Sequence, residues 1–250
     1  MQPAYKKDLI ALAALIVLAV PVISIYLVSH KQIVAPVARW TPFPSVPAEI
    51  VLGDTSKRQV IFTFDGGSTA QSGEAILATL RRHHVRGTFF LTGKFVENNP
   101  ALVREMVADG DEIFNHTYDH PYLTQTSDRR IIWELDALDK ALGTALAGSA
   151  IAYTTRPYFR APYGDRDPRV LAAAARDGYR SVYWTVDAGD WEESTGMTAG
   201  ETANKILSNI SPGTIYLMHI GDTITGSMLD GIFTEIEARG YKIVSLTQGL

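Results

Sequence analysis

From Gln59 onward, short apolar runs alternate with stretches whose apolar positions recur at a helical period. Val60–Phe64, Gly87–Leu91, Glu112–Phe114, Tyr158–Arg160, Ser181–Thr185, Thr214–Met218 and Lys242–Val244 have the length and composition of buried strands. Between them, Gly73–His84, Pro100–Ala108, Ser127–Leu146, Pro168–Arg176, Ala199–Ile210 and Met228–Arg239 read as helices, with Ser127 as an N-cap. Seven strands alternating with helices predict parallel βα units in an α/β fold, a barrel of about seven parallel strands.

The pattern changes before Gln59. Leu9–Val28 holds no charge over twenty residues, enough for a helix of about 30 Å, the thickness of bilayer hydrocarbon. It predicts a transmembrane anchor, in which Pro21 is tolerated. Lys6 and Lys7 ahead of it favour a cytoplasmic N-terminus over residues 1–8, although Lys31 and Arg39 weaken the bias. A cleaved signal peptide is the alternative, but its apolar region runs only about 7–15 residues, and Pro36 stands where cleavage would fall. Pro36, Pro42, Pro44 and Pro47 mark a semi-rigid linker over residues 29–58. One globular domain follows over 59–250, expected on the extracytoplasmic face of the cell membrane. A net charge of −4 gives no reason to expect nucleic-acid binding, and the absence of cysteine excludes disulfides and thiolate metal sites.

Candidate chemistry sits just after the strand-like runs: Asp65 in VIFTFDGG, His116 and His120 in IFNHTYDH, Arg160 in YFRAPYG, Asp187 and Asp190 in VYWTVDAGDW, and His219 in IYLMHIG. In α/β barrels such positions converge on one face, so residues far apart in sequence share a pocket. His116 and His120 are four apart, and one helical turn would put both on one side, ready for a divalent cation. Singly, each residue has an ordinary structural alternative, such as a turn aspartate or a core histidine. Their joint order does not. His83 and His84, among Arg81, Arg82 and Arg86, read as solvated residues at a helix end.

The ordered set TFDGG, HTYDH, RAPYG, DAGDW and LMH resembles the five motifs of the polysaccharide deacetylases, the NodB-homology domain of carbohydrate esterase family 4. The resemblance implies a distorted barrel and hydrolysis of N-acetyl groups from amino sugars of a polysaccharide, with a divalent metal, zinc or else cobalt, manganese or nickel. It implies Asp65 as general base, His116 and His120 as metal ligands, Arg160 orienting the base, and His219 as general acid tuned by Asp190. It also implies an oxyanion contact from the Tyr163 backbone N–H, a pocket wall from Trp191, and Leu217 lining the acetyl site. An anchored domain with a short spacer would meet cell-wall peptidoglycan first.

One position departs from the family pattern. Gly66 stands where a second aspartate usually ligates the metal, which lowers the expected metal affinity. Asp119, inside the HTYDH segment, is another candidate oxygen donor, although on a helical turn its position points it away. Two other readings stay open: the same chemistry on an O-acetyl ester of a polysaccharide such as xylan, as in other esterases of this family, and, because of Gly66, a catalytically weak glycan-binding module.

Overall fold

The computed structural model describes residues 42–149 and 153–250. The expected anchor, Leu9–Val28, lies outside the described residues. Among those residues, no helix is long and apolar enough to cross a membrane.

The strands are β1 (Gln59–Gly66), β2 (Thr88–Leu91), β3 (Glu112–Asn115), β4 (Tyr158–Phe159), β5 (Arg180–Ser181), β6 (Val186–Asp187), β7 (Ile215–His219) and β8 (Lys242–Val244). The helices are α1 (Gly73–Arg82), α2 (Gly93–Asn98), α3 (Pro100–Asp109), α4 (Asp128–Ala145), α5 (Pro168–Arg176), α6 (Ala199–Leu207), α7 (Ile224–Ala238) and α8 (Leu246–Gly249). Seven strands follow the order β5-β4-β3-β2-β1-β7-β6, all parallel, and β8 pairs with β1. Because β7 occupies one edge of β1, β8 (on Gln59–Ile61) and β2 (on Thr63–Gly66) divide the other. The result is a half-barrel wrapped by helices.

Alternation along β1 shows how this architecture places chemistry. Val60, Phe62 and Phe64 face the helices and join Leu77, Leu80, Phe89 and Phe233 in the largest apolar cluster. Ile61 faces inward with Phe90, Phe114, Val182 and Ile215. A two-residue period then puts Thr63 and Asp65 on the same inner face, one step and two steps higher. Parallel register aligns Ile61 with Ile215, Thr63 with Leu217, and Asp65 with His219. The interior therefore grades from an apolar floor to a polar mouth at the carboxyl ends of the strands.

Two expected elements change. The run Ser181–Thr185 is not one strand: Val182 bridges to Ile50, Thr185 Oγ1 donates to the Val51 carbonyl at 2.7 Å, and β6 begins only at Val186. Helix α7 starts at Ile224, four residues before the expected Met228. Its β-branched first residues and Gly226 have poor helix propensity, but burial of Ile224 and Thr225 overrides it. Helix α2, absent from the sequence reading, is short and opens on a Thr92 hydroxyl that accepts the Phe95 N–H at 3.0 Å. The Ser127 cap is present, accepting from Arg130 N at 3.3 Å.

The linker assignment also shortens. Ile50 is buried and pairs with the edge next to β5, donating to the Ser181 carbonyl at 2.9 Å and accepting from Tyr183 N at 2.7 Å. Glu49 grips Arg166 and Ser181. A chain beginning at Lys57 loses these contacts, and burial of one isoleucine alone contributes about 1.5–3 kcal/mol. Its denaturation midpoint should fall clearly below that of a chain beginning at Thr41. Equal midpoints would show that residues 42–56 add nothing to the domain.

Candidate active site

Asp65 ends the inner face of β1 and is 5% exposed. Arg160, just past β4, is fully buried and reaches across the interior. One of its terminal nitrogens donates to Asp65 Oδ1 at 2.6 Å and to Thr63 Oγ1 at 2.9 Å; the other donates to the Tyr183 carbonyl at 3.1 Å. Burial would push the Asp65 carboxyl up, but the Arg160 guanidinium in contact with it, helped by His219, holds it below the usual carboxylate range.

His116 follows β3, and its Nδ1 lies 2.9 Å from the Arg160 carbonyl. A carbonyl can only accept, so Nδ1 carries the proton and Nε2 turns a bare lone pair to the cavity. That lone pair lies 3.1 Å from His120 Nε2 and 3.5 Å from Asp65 Oδ2. Burial holds both imidazoles neutral: His116 is lowered, and His120 falls to about 3.

The two histidines meet through a loop, not the helical turn expected from their spacing. Thr117 (φ 69°) and His120 (φ 61°) take left-handed conformations, which brings the rings to a centroid distance of 4.8 Å. Buried neighbours hold this strain. Asn115 accepts the Thr117 N–H, and Glu134 on α4 accepts the N–H groups of Tyr118 and Asp119, each at 2.8 Å. Asn115 and Glu134 escaped the sequence reading, yet Glu134 had a signal. It lies at the i+3 position among Ile131, Leu135 and Leu138, on the buried face of its helix. Asp119 does not serve the cavity: its carboxylate pairs with Arg130 at 2.5 Å and Lys94 at 3.0 Å.

His219 ends β7. Its Nδ1 meets Asp190 Oδ1 at 2.8 Å, and its N–H donates to Asp190 Oδ2 at 2.6 Å. Burial would lower the imidazole, but Asp190 more than offsets it and the histidine rises above its ordinary 6.5. With Nδ1 engaged, Nε2 is the nitrogen left for a substrate. Asp190 is fully buried, while Trp191 is 54% exposed with its indole N–H 3.3 Å from both Asp187 oxygens. Tyr163, at φ 59°, stacks on Tyr122 at 4.2 Å and meets the His120 ring edge-on at 4.4 Å.

All nine expected site residues converge here. Eight of them line a cavity of about 390 Å³ (Asp65, His116, His120, Tyr163, Trp191, Leu217 and His219) or touch its lining directly (Arg160), and Asp190 lies behind His219. The volume suits a small polar ligand group. A larger groove, about 950 Å³, runs along α4 beside Trp133 and holds none of these nine. His83 sits apart from the cavity, and it is not solvated as expected: its side chain is only 9% exposed, held between Asp230 and Glu237 and edge-on to Phe233.

Two neutral imidazole nitrogens aimed at each other fit a divalent cation. Among the described residues, no group of three or more His, Asp or Glu is arranged to complete such a site. Gly66 explains part of this. It lies in ordinary extended backbone, and a Cβ there would point away from the histidines, to within 2.7 Å of Leu91 Cδ2 and 2.9 Å of Phe95 Cδ2. Gly66→Asp therefore meets the outer apolar layer first. It should destabilise the fold by about 1–3 kcal/mol unless the strand end turns the carboxylate inward. Zinc calorimetry with chemical denaturation separates the outcomes: tighter binding without destabilisation would show that the strand end rearranges.

A site that can take a proton at one wall and deliver one at another belongs to an acid–base hydrolase. Sequence comparison narrows this to one family. The polysaccharide deacetylase profile matches residues 52–182. A peptidoglycan-N-acetylglucosamine deacetylase of Bacillus cereus is 33% identical over 213 residues, covering 83% of this chain and 74% of the relative. The structure of Bacillus subtilis PdaA, a family 4 carbohydrate esterase, superposes with a TM-score of 0.74 at 30% identity, over 80% of this chain and 84% of that one. A family 4 pseudoenzyme from Bacillus anthracis superposes with a TM-score of 0.72 at 28% identity, over 81% and 69%. A mutant of that protein is described as having restored enzymatic activity. The chain belongs to the polysaccharide deacetylase family, the NodB-homology domain of carbohydrate esterase family 4. By class it is a carbohydrate deacetylase.

Proposed function

We propose that this protein removes N-acetyl groups from amino sugars of cell-wall peptidoglycan, held to the membrane by Leu9–Val28 with its domain outside the cell. The observation that carries the chemistry is the pairing of Asp65 with Arg160 and of His219 with Asp190 across one cavity. The relatives named for peptidoglycan deacetylation support the substrate, and the apolar run with its proline-rich follower supports the location.

In this reading Arg160 fixes Asp65 Oδ1, leaving Oδ2 to accept a proton from the attacking water. The Tyr163 backbone N–H donates to the developing oxyanion. His219 Nε2 gives its proton to the amide nitrogen as the C–N bond breaks, so acetate and a neutral amine depart. Leu217 lines the acetyl end, and Trp191 walls the sugar side. His116 and His120 would hold a divalent cation, whose contribution when bound is Lewis-acid polarisation of the acetyl carbonyl.

Activity should follow a bell-shaped pH profile. The base must be ionised and its pKa is depressed, so the acid limb lies below about 4. The acid must be protonated and its pKa is raised, so the alkaline limb lies above 6.5. An alkaline limb at or below 6.5 would remove His219 from the acid role.

A second reading, a weakly active glycan-binding module, is favoured by Gly66 and by the likeness to a pseudoenzyme. Acetate release from peptidoglycan and chitin oligomers, measured with added Zn²⁺ or Co²⁺, decides between them. Metal-dependent release supports the deacetylase; binding without release leaves the module.

A further inference from the structure

The Asp190 carboxylate is closed to solvent and takes four hydrogen bonds. Oδ1 accepts from His219 Nδ1 at 2.8 Å and from Trp191 N at 3.1 Å. Oδ2 accepts from His219 N at 2.6 Å and from Thr225 Oγ1 at 2.6 Å. Three donors come from His219 itself or from the next residue in the chain. The fourth comes from another element, the second residue of α7.

Thr225 is fully buried and held on several sides. Its N–H donates to Asp222 Oδ1 at 2.7 Å. The Asp222 carbonyl accepts from Ser72 Oγ at 2.5 Å, and Ser72 Oγ in turn accepts from Gly226 N at 2.8 Å. The first turn of α7 is thus tied to the start of α1, which fixes the direction of the Thr225 side chain. A hydroxyl facing an ionised carboxylate can only donate to it.

We propose that Thr225 is a positioning residue for the general acid, holding Asp190 Oδ2 so that Oδ1 stays on His219 Nδ1 and the opposite ring nitrogen faces the substrate. The proposal rests on the reading of His219 as the group that protonates the leaving amine.

The electrostatics give the hydroxyl a second effect. With His219 protonated, Asp190 has a cation beside it. Once the proton leaves, Asp190 is a buried anion with no counter-charge in contact, and each remaining donor matters more. Thr225 therefore stabilises the deprotonated pair more than the protonated one and keeps His219 a stronger acid. Other groups act on this pair. Asp65 from β1 and Asp187 from β6 also favour the charged imidazole, His116 and His120 after β3 oppose it whenever they carry a proton, and Asp222 lies beside Asp190 before α7. All three carboxyls remain when only the hydroxyl is removed.

The test uses Thr225→Val, which keeps the branched shape without a donor, Thr225→Ser, which keeps the donor, and Thr225→Ala as a second variant without one. In the full chain with added Zn²⁺, the His219 ring is titrated by NMR, and kcat and KM are followed against pH. In Thr225→Val and Thr225→Ala, the His219 midpoint should rise by roughly half to one pH unit. The kcat should fall about tenfold with KM little changed, because the lost contact acts on the acid and not on sugar binding. Thr225→Ser should stay near wild type in both. Should either folded variant without the hydroxyl keep the wild-type midpoint and kcat, changing only its melting temperature, Thr225 would be structural and the proposal overturned. If the wild type releases no acetate from any substrate, the functional reading falls, while the titration still decides whether Thr225 sets the state of the Asp190–His219 pair.

Discussion

His219→Ala is expected to lower kcat by about 10²–10⁴-fold, the usual contribution of a general acid. The geometry makes this a clean variant. Asp190 keeps the backbone N–H of residue 219, the Trp191 N–H and the Thr225 hydroxyl, so three of its four donors survive and the carboxylate stays hydrogen-bonded after it loses the imidazole. The fold should therefore persist with a modest loss of stability. Bound divalent metal should be nearly unchanged, because the nitrogen pair belongs to His116 and His120. Turnover assays with metal analysis on the same sample check both halves. Wild-type turnover would remove His219 from the mechanism, and loss of metal would make it a ligand instead.

The site residues reach one cavity because they sit where strands end. Asp65 and His219 close the inner faces of β1 and β7, and parallel register puts them side by side. That follows from a two-residue period and a parallel sheet, both visible in the apolar runs. The two histidines do meet, though not by the local route their spacing suggested. Spacing of four suggested a helical turn, whereas the chain reaches the same result through two left-handed residues held by Asn115 and Glu134. Such a loop has no periodic signature, because tertiary hydrogen bonds stabilise it and local propensity does not.

Gly66 carries the same lesson in reverse. From sequence alone it is a missing ligand. The backbone there is ordinary, and the crowding comes from Leu91, Phe95 and Ile220 on the helix side of the sheet. Residue 66 follows Asp65 by one step, so alternation turns it away from the cavity. The role of Ile50 was hidden for a different reason. A single bridge to Val182 leaves no pattern in the chain, and nearby prolines made the whole stretch read as linker.

Asp65→Asn is the variant expected to lose most on two measures at once. Turnover should fall by about 10²–10⁴-fold, since an amide cannot accept the proton of water. Stability should fall as well, because Arg160 is fully buried and Asp65 is its counter-charge in contact. Removing one partner of a buried ion pair costs about 3–5 kcal/mol. An amide oxygen still accepts from the guanidinium, which puts the loss toward the lower end of that range. In a domain of this size the melting temperature would drop by roughly 6–20 °C. The pH dependence supplies a further check. The Asp65 carboxyl is depressed in the fold, so its stabilisation is complete above the ordinary value of 3.8 and fades as pH falls through the lower folded value. Denaturation midpoints of wild type and Asp65→Asn should therefore differ by a constant amount above about pH 5 and converge below pH 4. A gap that persists unchanged into strong acid would mean that the loss comes from packing around residue 65. It would also mean that Arg160 does not depend on the Asp65 charge.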